Sequence, residues 1–262
     1  LHAKVKDLEK IKVGSVSYLN ARPLLYGLQR SEELMLQMEL IEEFPSKIGG
    51  MLIDGSIDVG LVPVAVIPKM KEWHIITDFC IGATGDVASV CLFSEVPIEQ
   101  IDTVLLDYQS RTSVNLCKVL LKHHWKIQPR IVETTGEDYR SQITGTTAGV
   151  VIGDRALEQR LVSSYIYDLA TEWRIMTGLP FMFAAWIANK PLPPAFVDAF
   201  NQANSIGFEH LQEIIAANPF KAYDLHTYYT ENISYDLTEE KRKGLLLFVE
   251  YLQKMEVLKP VM

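Results

Sequence analysis

The chain has 262 residues, 48% hydrophobic and 22% charged, enough for one large globular domain or two small lobes. A formal charge of −8 with no basic run argues against a general nucleic-acid surface; an anionic ligand would need local donors. No apolar segment approaches the ~20 residues that cross a bilayer, and LHAKVKDLEK at the start has no signal-peptide core, so a cytoplasmic location is expected.

In chain order, Lys12–Val16 reads as a strand, followed by a helix from about Arg22 to Arg30 with Pro23 near its start. LQMELIEEF is a strand, PSKIGGMLIDGSI a helix, and DVGLVP a short strand ending at Pro63. HIITDFCIGATG and VASVCLFS are two more strands. The pattern then restarts with strand IDTVLLD, helix SRTSVNLCKVLLKHHW, strands RIVETT and AGVVIGD, and helix RALEQRLVSS. FMFAAWIAN is a long apolar strand, and the chain beyond Pro191 is mostly helical. This alternation predicts an α/β fold with mainly parallel strands. Two such sets predict two lobes: 1–95 with 190–262, and 96–189, with crossovers near 93–101 and 181–189. A cleft between them, outside the carboxyl ends of strands, is the expected site.

Polar side chains gather at four strand ends. Ser17, Tyr18, Asn20 and Arg22 follow the first strand; Ser89 sits in TGDVASV; Ser110, Arg111, Thr112 and Ser113 open a helix; and Asp154 follows VVIG. A helix start offers free N–H groups and partial positive charge, so hydroxyls there can cap the helix or share a carboxylate. Arg111 could add a bidentate contact or point to solvent. Asp154 reads first as an N-cap, and Ser17 or Asn20 could cap the helix at Pro23. Cys80, Cys91 and Cys117 read as buried thiols rather than a disulfide framework. The pair His123–His124, late on an amphipathic helix, reads as solvated or as favouring the helix C-terminus. No HExxH, CxxC, GxGxxG, P-loop or GxSxG pattern is present. The Tyr-rich AYDLHTYYTENISY reads as packing and interlobe surface.

Six segments in order, VGSVSYLNARPLLYGL, GSIDVGLVPVAV, GDVASVCLFSEVPI, VLLDYQSRTSVNLCKVLL, GVVIGDRAL and YDLATEWRIMTGLPFMFAAW, resemble the MqnA-type chorismate dehydratases of the futalosine route to menaquinone. The resemblance runs from about Lys12 to Trp186. It implies a type II periplasmic-binding-protein-like fold with two α/β lobes around a cleft. It also implies a lyase that dehydrates chorismate, a small dianion, to 3-[(1-carboxyvinyl)oxy]benzoate with no metal or organic cofactor. It casts Asn20 and Ser89 as active-site polar residues and Ser110, Thr112 and Ser113 as the carboxylate-binding helix start. Ser17, Arg111 and Asp154 match motifs and are expected to bind substrate on chemical grounds. The four polar strand-end motifs contain no His or Glu, so the enolpyruvyl carboxylate is the expected base. Two rivals share the fold: a non-catalytic solute-binding protein for a small carboxylate, and the sister dihydroxynaphthoate synthase. The latter uses a His in its second lobe, but the segment from Ile131 to Ser164 has none.

Overall fold

A computed structural model describes residues 10–257; the N-terminal segment on which the signal-peptide reading rests lies outside them, apart from Lys10. The strands are β1 (Ile11–Val16), β2 (Met38–Glu43), β3 (Val59–Pro63), β4 (His74–Ala83), β5 (Val90–Ser94), β6 (Thr103–Leu106), β7 (Arg130–Glu133), β8 (Thr147–Ile152), β9 (Tyr165–Asp168), β10 (Phe181–Ala188) and β11 (Ser234–Asp236). The helices are α1 (Arg22–Arg30), α2 (Glu32–Gln37), α3 (Pro45–Asp54), α4 (Arg111–Leu120), α5 (Asp154–Gln159), α6 (Leu169–Thr177), α7 (Pro194–Glu209), α8 (Leu211–Ala217), α9 (Leu225–Thr227) and α10 (Glu239–Val257).

Two sheets result, β11-β4-β10-β3-β1-β2 and β7-β6-β8-β5-β9. Sheet membership changes between Ala83 and Val90, and again between Asp168 and Phe181. These passages fall before both expected crossovers: Val90–Ser94 belongs to the second sheet and Phe181–Ala188 to the first. The physical reason is pairing, since β5 lies between β8 and β9 while β10 lies between β3 and β4. Both inserted strands run antiparallel to their neighbours. The α/β expectation holds, but the sheets are mixed rather than mainly parallel. Parallel pairing joins β1 to β2 and β3, and β6 to β7 and β8.

The helices pack where side chains allow. Gly207 of α7 lies so close to α1 that a Cβ there would stand 1.9 Å from the Pro23 carbonyl oxygen, and one on Gly27 would stand 2.1 Å from that of Ala203. Helix α10 inserts Phe248 edge-on against Phe181 of β10 and Trp173 of α6. All three cysteines are buried, and burial pushes the thiols of Cys80 and Cys117 up to about 11 and about 12. Among the described residues no helix is long and apolar enough to cross a membrane.

Candidate active site

The ends of β1, β3, β5, β8 and β10 converge on a narrow cavity that also meets the start of α4. It is lined by Tyr18 and Asn20 from the turn after β1, by Ser110, Thr112 and Ser113, and by Ile152 at the end of β8 and Gly153 just after it. Pro63, Phe183 and Val90 contribute apolar wall. The open volume is about 50 Å³, room for only a few water molecules.

At the helix start, Ser110 adopts extended backbone and its Oγ accepts from Ser113 N at 3.0 Å, an N-cap. The Ser110 hydroxyl also donates to Ser113 Oγ at 2.8 Å. Thr112 Oγ1 accepts from Ala65 N at 3.1 Å, joining the helix to the segment after β3. These three side chains are buried, yet Thr112 keeps its own proton to donate.

Opposite them, residues 19–21 form a single turn before α1. Asn20 Oδ1 is buried with no hydrogen-bond partner among the described residues, while its backbone carbonyl accepts from the Tyr235 hydroxyl at 2.9 Å. The Tyr18 ring covers Gly153, where an added Cβ would meet it at 3.2 Å. Its hydroxyl donates to Gln109 Oε1, which also accepts from Arg155 Nη2 at 3.0 Å. Behind this, Asp107 binds Arg155 at 2.8 Å and accepts from the Tyr139 hydroxyl at 2.8 Å. This network, made through Arg155 Nη2 while Nε and Nη1 have no hydrogen-bond partner among the described residues, stiffens the floor of the site.

Ser89 is fully buried and, like Ser17, is not among the cavity-lining residues; it stands one residue before Val90, which is. Its turn is tight: Ala88 has φ 61, and Ser89 N reaches Val87 O at 2.7 Å. Asp168 holds that turn by accepting from Ala88 N at 2.8 Å, while its other oxygen caps α6 through Ala170 N at 3.1 Å. Burial pushes the Asp168 carboxyl up to about 6. The Tyr228 hydroxyl donates to Ser89 Oγ at 2.8 Å, leaving the serine proton for another acceptor.

Three expectations change. Asp154 is not the N-cap of α5; Gly153, at φ 63, occupies that position, and Asp154 is the first helical residue. Its Oδ1 instead accepts from Leu19 N at 3.2 Å, tying α5 to the turn that carries Asn20. Burial pushes its carboxyl up to about 6. Ser17 is exposed and is not among the cavity-lining residues; its carbonyl accepts from Arg22 Nη2 at 3.0 Å. One place after the cavity-lining Val16, it falls on the other side of the extended chain. Arg111 also lies outside the cavity, on an adjoining groove of about 600 Å³.

A family described as menaquinone biosynthesis matches residues 11–254. The chain belongs to that family. Among curated relatives it is 28% identical to a chorismate dehydratase of Thermus thermophilus, over 92% of this chain and 94% of that one. It is 26% identical to a chorismate dehydratase of Campylobacter jejuni, over 90% and 95%. Solved structures share the fold. A protein of Archaeoglobus fulgidus superposes with TM-score 0.72 at 12% identity, over 95% of this chain and 98% of that one. A Candida albicans protein described as having the generic periplasmic binding protein fold gives 0.64 at 13%, over 97% and 92%. The alkanesulfonate-binding protein of Xanthomonas axonopodis, bound to MOPS, gives 0.64 at 12%, over 97% and 96%. The periplasmic-binding-protein-like expectation is therefore met.

Sequence reasoning missed Tyr228 and Tyr235 as the tyrosines that fix Ser89 and Asn20. It also missed the Gln109–Arg155–Asp107 support. The Tyr-rich segment was the available signal, since buried tyrosine hydroxyls need partners.

Proposed function

We propose that this family member dehydrates chorismate to 3-[(1-carboxyvinyl)oxy]benzoate in menaquinone biosynthesis. The family match over residues 11–254 carries this reading, and the two curated chorismate dehydratases support it at nearly full length.

The reaction takes the proton from the ring carbon bearing the enolpyruvyl ether, breaks the adjacent carbon–hydroxyl bond and leaves an aromatic ring. The drive lies in the substrate, so the protein must select one conformation and stabilise transient charge. When the ring proton leaves, its electron pair delocalises through the ring double bond onto the ring carboxylate. Ser110, Thr112 and Ser113, at the positive end of α4, are suited to hold that carboxylate. Asn20 offers a donor and a free acceptor: its amide N–H to the enolpyruvyl carboxylate and its unpartnered Oδ1 to the ring hydroxyl. Ser89, held by Tyr228, supplies a second donor to the same carboxylate.

In this reading the enolpyruvyl carboxylate takes the ring proton and can return it to the departing hydroxide, so water leaves and the protons balance. Asp154 is engaged with Leu19 N and serves to position the turn, not to act as base. A cavity of about 50 Å³ admits no ligand of this size as it stands, so the two α/β lobes part for binding. The test is incubation with chorismate, followed by absorbance and mass of the product. A dehydrated aromatic product is expected; binding without turnover would favour a solute-binding protein and overturn the proposal.

A further inference from the structure

We propose that the wide groove beside the cavity is where the dianionic substrate first docks, and that it passes inward along the seam between groove and cavity. This rests on the chorismate reading above. The chain as a whole carries −8 and repels a dianion. The groove, about 600 Å³, departs from that field: it is lined by Lys69, Arg111 and Lys118. Arg111 and Lys118 are two helical turns apart and share one face of α4. Of the carboxylates in its wall, Asp107 is neutralised by Arg155 at 2.8 Å. Glu133, whose side chain is 84% exposed, stands 3.9 Å from Lys118. Arg111 has no ion-pair partner among the described residues. A local positive surplus remains, with the second N–H of the Asn115 amide as an uncharged donor beside it.

The groove adjoins the cavity directly. Ser110 lines both. Between them run two hydrogen bonds, Ser46 N to Gln109 O at 3.2 Å and Ala65 N to Thr112 Oγ1 at 3.1 Å. When the lobes part these bonds break, and the groove opens onto the hydroxyls of the α4 start. A dianion gathered by the three cations therefore waits one residue from the donors that will hold its carboxylate. Such a field raises association about 10–10³-fold and fades as salt shortens its reach.

The test compares the parent, the double variant Lys69→Gln/Lys118→Gln and the opposite-sign variant Glu133→Gln. For each, kcat and kcat/KM for chorismate are measured at about 0.01 M and about 1 M salt, where the Debye length falls from ~30 Å to ~3 Å. The double variant is expected to lose about tenfold in kcat/KM at low salt, with the deficit vanishing at high salt and falling on kcat/KM rather than kcat. Glu133→Gln should shift kcat/KM upward at low salt. Parental values and salt slope in both variants, or a deficit equal at both salt concentrations, would overturn the proposal while leaving the chorismate reading intact. A parent that does not convert chorismate would overturn that reading, and this inference with it.

Discussion

Two polar regions face each other across the cavity, and the protein treats them differently. At the start of α4, Ser110 and Thr112 already accept from Ser113 N and Ala65 N. In the turn after β1, Asn20 Oδ1 is buried without a protein partner among the described residues. An unmet buried acceptor costs about 1–3 kcal/mol, and such a cost is most readily explained where a ligand supplies the missing donor. The contrast separates two tasks: the satisfied helix start is pre-organised to hold a carboxylate, and the unsatisfied turn is suited to the reacting end of the substrate. Tyr235 and Asp154 hold that turn through its backbone, so Asn20 can be poised without being consumed by internal bonding.

Asn20→Asp should break the contrast most sharply. It keeps the size but replaces a donor with negative charge beside a dianion. We expect kcat to fall about 10²–10³-fold, as when a charge-stabilising donor is removed, with little change in melting temperature. Thr112→Val should weaken chorismate binding by about 1–3 kcal/mol, read as a rise in KM, because a carboxylate loses a donor. It also strips Ala65 N of its acceptor, so circular dichroism and thermal melts must accompany the kinetics.

Asp154→Asn sharpens the assignment of Asp154 as a tie. Burial raises its carboxyl from 3.8 to about 6. A pKa raised in the fold contributes stability that is present below pH 3.8 and lost as pH rises through about 6. The ionised group therefore costs stability at pH 8. The neutral variant keeps an oxygen for Leu19 N and should be more stable than the parent there, on the order of 2 kcal/mol, with the difference gone near pH 4. Denaturant titration at both pH values reads this. Its turnover should fall by less than about a hundredfold, the lower reach of general-base loss. Tyr228→Phe should have the smallest effect, about 1 kcal/mol on the activation barrier, by removing the donor to Ser89 Oγ. Pre-steady-state rates would detect it.

Local signals in the sequence carried much of this arrangement. Buried apolar runs mark β3, β5, β8 and β10, and the Ser110 cap was legible because capping involves neighbours only three residues apart. Strand direction was not legible: β5 and β10 are buried apolar runs whichever way they pair. Asp154 looked like a cap because Asp commonly is one, but the left-handed Gly153 took that place and released it to reach Leu19. The tyrosine supports were hidden by distance along the chain, Tyr228 lying 139 residues from Ser89 and Tyr235 lying 215 from Asn20.

The most direct test of the division between holding and reacting is a side-by-side determination of kcat and KM for chorismate with the parent, Asn20→Asp and Thr112→Val. The Asn20 change is expected to fall mainly on kcat and the Thr112 change mainly on KM. A parental kcat in folded Asn20→Asp, or a Thr112 defect carried wholly by kcat, would contradict that division.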